Sequence, residues 1–221
     1  MTTPRIAILI SGQGRNLQAN LDAVAAGKIP ARIACVLSNR AEAPGLARAR
    51  DAGVPVEVVP HTDYDNRVQF DLAVASALDR HQANFIAMAG FMRVLGDGFI
   101  RRFSGRMVNI HPSLLPRHRG LNTHRRVLEA GEQQHGASVH FVTSELDGGP
   151  VVIQGSFSVK PDDNEQSLAE RALREVELKI YPQALAWIAR GELSHTSAGL
   201  LFRNRKLSAP LSLTDLEPEF Q

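Results

Sequence analysis

The chain has 221 residues, 43% hydrophobic, 22% charged and 5% aromatic. This is ordinary globular composition, long enough to bury a sizeable core, and it excludes disordered, collagen-like and disulfide-scaffold classes. A formal charge of +2 is too small to point to nucleic acid or a membrane surface, even with a pI near 9.0.

Arg5–Ile10 is a nearly continuous apolar run, as expected for a strand covered on both faces. After the polar loop from Ser11 to Asn16, a helix is predicted over Leu17–Ala26 with Gly27 as its stop. A strand follows at Arg32–Leu37, then a helix over Pro44–Asp51, a short strand at Val56–Val59 and a helix over Asp65–Arg80. Phe85–Ala89 and Met107–Ile110 read as further strands, with a short helix near Gly98–Phe103 between them. Such alternation predicts a parallel sheet with helices on both faces. Downstream, Ala137–Thr143 and Val151–Val159 are separated by the turn Asp147-Gly148-Gly149-Pro150, too short for a crossover helix, so this half is expected to be antiparallel. Asn164 can cap a long helix reaching Arg190, with Leu168, Leu173, Val176 and Ile180 on one face, a kink at Pro182 and a stop at Gly191. One domain over residues 1–191 and an extended appendage with a polar tail over 192–221 are expected. The single cysteine, Cys35, lies in the apolar stretch Ile33–Leu37, where a thiol acts as a small hydrophobe. With no disulfide pair, no signal-peptide core and no membrane-length segment, a cytoplasmic setting is expected.

The loop after the first strand partly resembles a dinucleotide fingerprint, because Gly12 and Gly14 permit close backbone approach at a helix N-terminus. Leu17 stands where the third glycine would be, and Ser38-Asn39-Arg40 offers no acidic ribose ligand. A phosphate monoester held by the amides of Gly14, Arg15 and Asn16 and by the Arg15 guanidinium is the better reading; a glycine turn without a ligand is the plain one.

The richest segment runs from Asn109 through His111-Pro112-Ser113 to Pro116, at the end of a predicted strand. Alternation puts Asn109 and His111 on one face. An amide donor beside an imidazole suits acyl transfer, with Asn109 stabilising an oxyanion and His111 moving a proton. Asp147 is a turn former that could also raise the histidine pKa toward working pH. No serine or cysteine stands in a nucleophile motif, which favours direct transfer. His111, His118, His124, His140 and Asp147 lack metal-ligand spacing, so no metal is expected.

Taken together, Ser11 to Leu17, Ala89 to Arg93, Asn109 to Pro116, Gly136 to Val142 and Leu146 to Pro150 resemble the phosphoribosylglycinamide formyltransferases of purine biosynthesis. The resemblance spans Arg5 to about Gly191. It implies a Rossmann-like formyltransferase fold, the parallel half of the sheet continued by antiparallel strands. The implied reaction is attack of the glycinamide ribonucleotide amine on the formyl carbon of 10-formyltetrahydrofolate. By that resemblance Asn109, His111 and Asp147 are the catalytic set, and Gly14, Arg15, Asn16 and Glu177 bind the acceptor. Arg67, Met92, Arg93, Val94, Leu95 and Asn109, with Thr143, Ser144, Glu145, Leu146 and Asp147, form the folate site. Two positions depart from the family pattern: Asn122 stands where a second histidine is common, and Arg15 where a small polar residue is common. Small-molecule substrates are the expected partners, with neither nucleic acid nor membrane; a homodimer is compatible with the sequence. A formyltetrahydrofolate hydrolase or a transferase for another amine is the nearest rival, disfavoured because 221 residues leave little room for a further large domain. A nucleotide-binding module without chemistry would explain the glycine loop but not Asn109, His111 and Asp147 together, and a dinucleotide oxidoreductase lacks its last glycine and acidic residue.

Overall fold

Strand β1 (Arg5–Ile10) is buried without exposed surface from Ile6 to Ile10 in the computed structural model, which describes residues 3–221. This is why its sequence reads as an unbroken apolar run. The chain divides into a first unit ending at Asn109 and a second spanning Ile110–Gln221.

In the first unit β1 is followed by α1 (Arg15–Ala25), β2 (Arg32–Ser38), α2 (Gly45–Asp51), β3 (Val56–Val58), α3 (Arg67–Arg80), β4 (Phe85–Met88), α4 (Asp97–Arg102) and β5 (Met107–His111), whose last residues carry the chain into the second unit. Strand β1 pairs in parallel with β2 and β4, β2 with β3, and β4 with β5. The chain therefore builds outward from β1 on one side through β2 and β3, then returns to build on the other side from β4. The exits of β1 and β4 stand side by side where the strand order reverses, which is where open α/β sheets take their ligands. Helix α1 begins two residues earlier than predicted, so Arg15 and Asn16 form its first turn rather than a loop before it. Asn66 caps α3 by accepting from the Gln69 amide at 3.1 Å.

The second unit contains α5 (Thr123–Glu129), the antiparallel pair β6 (Gln134–Phe141) and β7 (Val151–Ser158), α6 (Glu165–Arg171), a π-helical turn over Ala172–Glu177 and α7 (Leu178–Ala189). The seven strands follow the order β3-β2-β1-β4-β5-β6-β7, a mixed α/β sheet that is mostly parallel and ends in an antiparallel pair. Asn164 caps α6 as predicted, in a reciprocal box with Ser167. Leu168, Leu173, Val176 and Ile180 are all buried. The departure from regular α-helix falls in the π turn, ahead of the kink expected at Pro182.

Residues 192–221 carry more regular structure than an extended appendage. Three short strands, β8 (Leu193–Thr196), β9 (Gly199–Phe202) and β10 (Arg205–Lys206), form an antiparallel sheet in chain order. The carboxylate of Glu217 ties the tail to α7 by accepting from Trp187 Nε1 at 3.1 Å and from Arg190 Nη2 at 2.6 Å. Among the described residues no helix is long and apolar enough to cross a membrane.

Candidate active site

In the first unit the loop after β1 is shaped by a close approach to α2. Gly14 is the N-cap of α1 at φ 69°, a left-handed conformation that glycine adopts without steric cost. A Cβ there would lie 2.8 Å from the Gly45 Cα. The Gly45 amide donates to the Gly12 carbonyl at 3.0 Å, and Arg48 Nε donates to the Gln13 carbonyl at 2.9 Å. Two loop carbonyls are thus engaged by α2, while Arg15 and Asn16 occupy the first positions of an eleven-residue helix. First-turn amides have no acceptor within their own helix, so this end of α1 suits an anion. Arg48 was not anticipated from sequence, where it reads as one of several charges on a surface helix.

The segment leaving β4 contains the predicted Met92, Arg93, Val94 and Leu95. Met92 and Val94 are 60% and 58% exposed, whereas Phe91 and Leu95 are buried. Phe91 stacks on Phe70 of α3 with ring centroids 6.4 Å apart. Arg67 opens α3, where Val68 and Leu72 add exposed apolar surface. Exposed thioether and aliphatic groups beside arginines suit a flat aromatic molecule that carries carboxylates. Asn109 is half-buried on β5, two residues before His111, on the same strand face.

In the second unit the structure brings His111 and Asp147 together. Nδ1 of His111 lies 3.4 Å from Asp147 Oδ2, which also accepts the Gly120 amide at 2.9 Å. The other imidazole nitrogen, Nε2, is 3.0 Å from the His118 carbonyl. A carbonyl only accepts, so Nε2 carries the proton and Nδ1 presents its lone pair toward the carboxylate when the ring is neutral. His140 faces the other carboxylate oxygen, Nε2 to Oδ1 at 3.5 Å, and its Nδ1 is 3.0 Å from the Phe141 carbonyl.

Burial is the largest influence on His111 and pulls its pKa below the usual value; the His118 carbonyl and Asp147 act in the opposite direction and do not overcome it. This corrects the sequence expectation of a raised histidine. The carboxylate neighbour was anticipated, but the desolvation was not, because burial of a strand end depends on distant packing. For Asp147, burial acts to raise the pKa and is outweighed by the His140 hydrogen bond, the Gly120 amide and the two imidazoles, so the carboxyl stays below its usual value.

The turn that carries Asp147 explains its own glycines. A Cβ on Gly149 would lie 1.8 Å from the Phe141 carbonyl oxygen, so a larger residue cannot fit without displacing backbone. The segment after His111 is braced by two partners that sequence reading missed. Ser138 Oγ donates to the Ser113 carbonyl at 2.6 Å and accepts from the Leu115 amide at 3.1 Å. Gln154, its cross-strand partner on β7, donates to the Leu115 carbonyl at 2.7 Å and to Ser138 Oγ at 2.9 Å. The only signal was the alternation of Ser138 and His140 along β6, with no cue to what they would face.

The remaining predicted positions lie at the edges of this arrangement. Thr143 is half-buried, Ser144, Glu145 and Leu146 are exposed, and Glu145 pairs with Arg119. Glu177 is only 8% exposed at the end of the π turn, unlike a glutamate on a solvated helix face, and π turns recur at functional sites. Asn122 occupies the N-cap position of α5 in the left-handed region, without a side-chain capping hydrogen bond, and His124 meets His135, Nδ1 to Nε2 at 2.9 Å. Among the described residues no group of three or more His, Cys, Asp or Glu could hold a metal ion.

Residues 4–185 match the formyl transferase family. The phosphoribosylglycinamide formyltransferase of Haemophilus influenzae is 45% identical over 189 residues, covering 86% of this chain and 89% of that protein. That of Escherichia coli is 44% identical over 197 residues, covering 89% and 92%. The solved structure of the Coxiella burnetii phosphoribosylglycinamide formyltransferase in complex with CHES superposes with a TM-score of 0.90 at 42% identity, over 96% of this chain and 99% of that one. The chain is therefore a member of the formyl transferase family and, within it, of the phosphoribosylglycinamide formyltransferases.

Proposed function

We propose that the chain transfers the formyl group of 10-formyltetrahydrofolate to the amine of glycinamide ribonucleotide in purine biosynthesis, directly and without a covalent enzyme intermediate. The observation that carries the mechanism is the His111–Asp147 pair, with the His111 Nε2–H committed to the His118 carbonyl. The amine nitrogen bonds to the formyl carbon, and the carbonyl electrons move onto oxygen, where the Asn109 side-chain amide donates a hydrogen bond. The amine proton passes to His111 at Nδ1, beside Asp147. Collapse of the tetrahedral carbon breaks its bond to the folate nitrogen, which takes a proton from His111, so the imidazole ends as it began. Burial keeps His111 neutral at rest and ready to accept, while Asp147 stabilises the imidazolium once formed.

Gly14, Arg15 and Asn16 hold the acceptor's phosphate at the start of α1, and Glu177 meets its amine end. Arg67, Met92–Leu95, Asn109 and Thr143–Asp147 hold the folate. The family match over 4–185 supports treating residues 1–191 as one catalytic domain, with 192–221 as an appendage. A cytoplasmic enzyme with small-molecule substrates fits this reading.

The test follows formylated nucleotide and tetrahydrofolate together. Each should form in step with the other when glycinamide ribonucleotide is added, and deformylation should be slow without it, because a bound amine is positioned for attack and water is not. Rapid release of formate without an acceptor, with no formylated nucleotide, would replace the transferase with a hydrolase.

A further inference from the structure

The segment between β4 and α4 is anchored at both ends by side chains that neither the reaction nor the sequence motifs assign. Ser11, at the exit of β1, donates its amide to the Gly90 carbonyl at 3.0 Å. Its hydroxyl accepts the Met92 amide at 2.8 Å and donates to Asn39 Oδ1 at 2.5 Å. Asn39 is held in turn by His61, Nδ2 to Nδ1 at 3.1 Å. At the far end the Gly96 amide donates to Asp71 Oδ2 at 2.7 Å. A Cβ on Gly96 would lie 2.8 Å from that oxygen, so glycine is what lets the carboxylate approach.

Asp71 is only 7% exposed, and its second oxygen, Oδ1, is buried without a hydrogen-bond partner. Burial is the largest influence on its pKa and raises it, with the Gly96 amide, Arg67 and Arg93 acting the other way. A buried, half-satisfied carboxylate costs stability. One of its oxygens is nevertheless committed to the Gly96 amide, with the positive charges of Arg67 and Arg93 acting on the carboxylate.

We propose that Ser11 and Asp71 are positioning residues for the folate: they fix the backbone at Met92 and at Gly96, so that the side chains between these anchors are presented in one arrangement. The proposal rests on the reading above that Met92–Leu95 belong to the folate site. Preformed presentation lowers the ordering cost of binding, so loss of an anchor acts on affinity before it acts on chemistry.

The test compares Ser11→Ala, Asp71→Ala, Asp71→Asn and Arg93→Ala in the full chain. Amide hydrogen exchange of the free protein is read at Met92 and Gly96, together with the KM of each substrate and kcat. Asp71→Ala should speed Gly96 exchange and raise the folate KM by about tenfold, the loss expected for a hydrogen bond to a charged group, with the acceptor KM unchanged. Ser11→Ala should do the same through Met92. Asp71→Asn keeps an acceptor for Gly96 and should restore most of the protection and the KM. A merely structural role would lower the amount of active protein without moving the folate KM. If Arg93→Ala raises the folate KM while Ser11→Ala and Asp71→Ala leave it unchanged, the proposal is overturned alone. If Arg93→Ala also leaves it unchanged while transfer proceeds, the folate assignment of the segment fails and the proposal falls with it.

Discussion

Asp147 Oδ2 stands 3.4 Å from Nδ1 of His111 and receives the Gly120 amide at 2.9 Å, so one carboxylate oxygen faces an imidazole lone pair and a backbone donor together. The carboxylate acts against the burial that depresses His111. In Asp147→Asn that opposition is lost, and the His111 pKa should fall further while the rate drops by about 10²- to 10⁴-fold. An NMR titration in which His111 keeps its pKa would remove Asp147 from this role.

Arg15→Glu reverses the charge at the first position of α1. A glutamate there is favourable for the helix itself, because the N-terminus carries partial positive charge. The substitution should therefore leave folding intact and raise the acceptor KM about tenfold or more, with the folate KM little changed, as expected for loss of uniform phosphate binding. Steady-state kinetics varying each substrate in turn reads the difference; equal effects on the two would place the phosphate elsewhere.

His135 links stability to pH. Burial, reinforced by His124 and His118, pushes its pKa from 6.5 down to about 4. Between these values the unfolded chain binds a proton that the folded chain does not, so folding weakens as pH falls below about 6.5 and the full loss is reached near pH 4. Thermal melting from pH 7.5 to 4.5 should show this decline, shallower in His135→Gln. An identical slope in the two proteins would assign the acid sensitivity to other groups.

Ser138→Ala removes the hydroxyl that serves Ser113, Leu115 and Gln154 at once. The change should cost about 1–3 kcal/mol, because the Leu115 amide is left buried without its acceptor. Transfer should fall along with stability, since the braced segment begins at His111. Denaturant unfolding and kcat measured on one preparation check both; a stable variant with normal kcat would show the segment to be held from elsewhere.

Features whose cause lies among close neighbours in the chain are legible in the sequence itself. The apolar run of β1, the Asn164 cap and the glycine turn at Asp147 each carry their cause within a few residues. Helix α5 escaped because seven residues with His124, Arg125 and Arg126 on them offer too little apolar periodicity. The strands of 192–221 escaped for a related reason: they are four, four and two residues long, and the Arg203-Asn204 turn lacks the glycine that marks most tight hairpins. The catalytic candidates were legible as types and spacings. The downward displacement of His111 was not, because desolvation is imposed by residues far away in sequence. Ser138, Gln154, Arg48 and Asp71 belong with it: each is an ordinary polar residue whose task is defined only by the backbone group it meets.

The solitary thiol of Cys35 lies fully buried in β2, and burial raises its pKa to about 12. Almost no thiolate exists at neutral pH, so peroxide and alkylating reagents find little to attack there. Oxidative damage is thereby steered toward thioether sulfur. Met88 and Met107 are buried in their strands, whereas Met92 stands out in solvent. Conversion of Met92 to its sulfoxide would place a polar, branched group on the surface proposed for the folate. Inactivation under peroxide should accordingly be relieved by methionine sulfoxide reductase rather than by thiols.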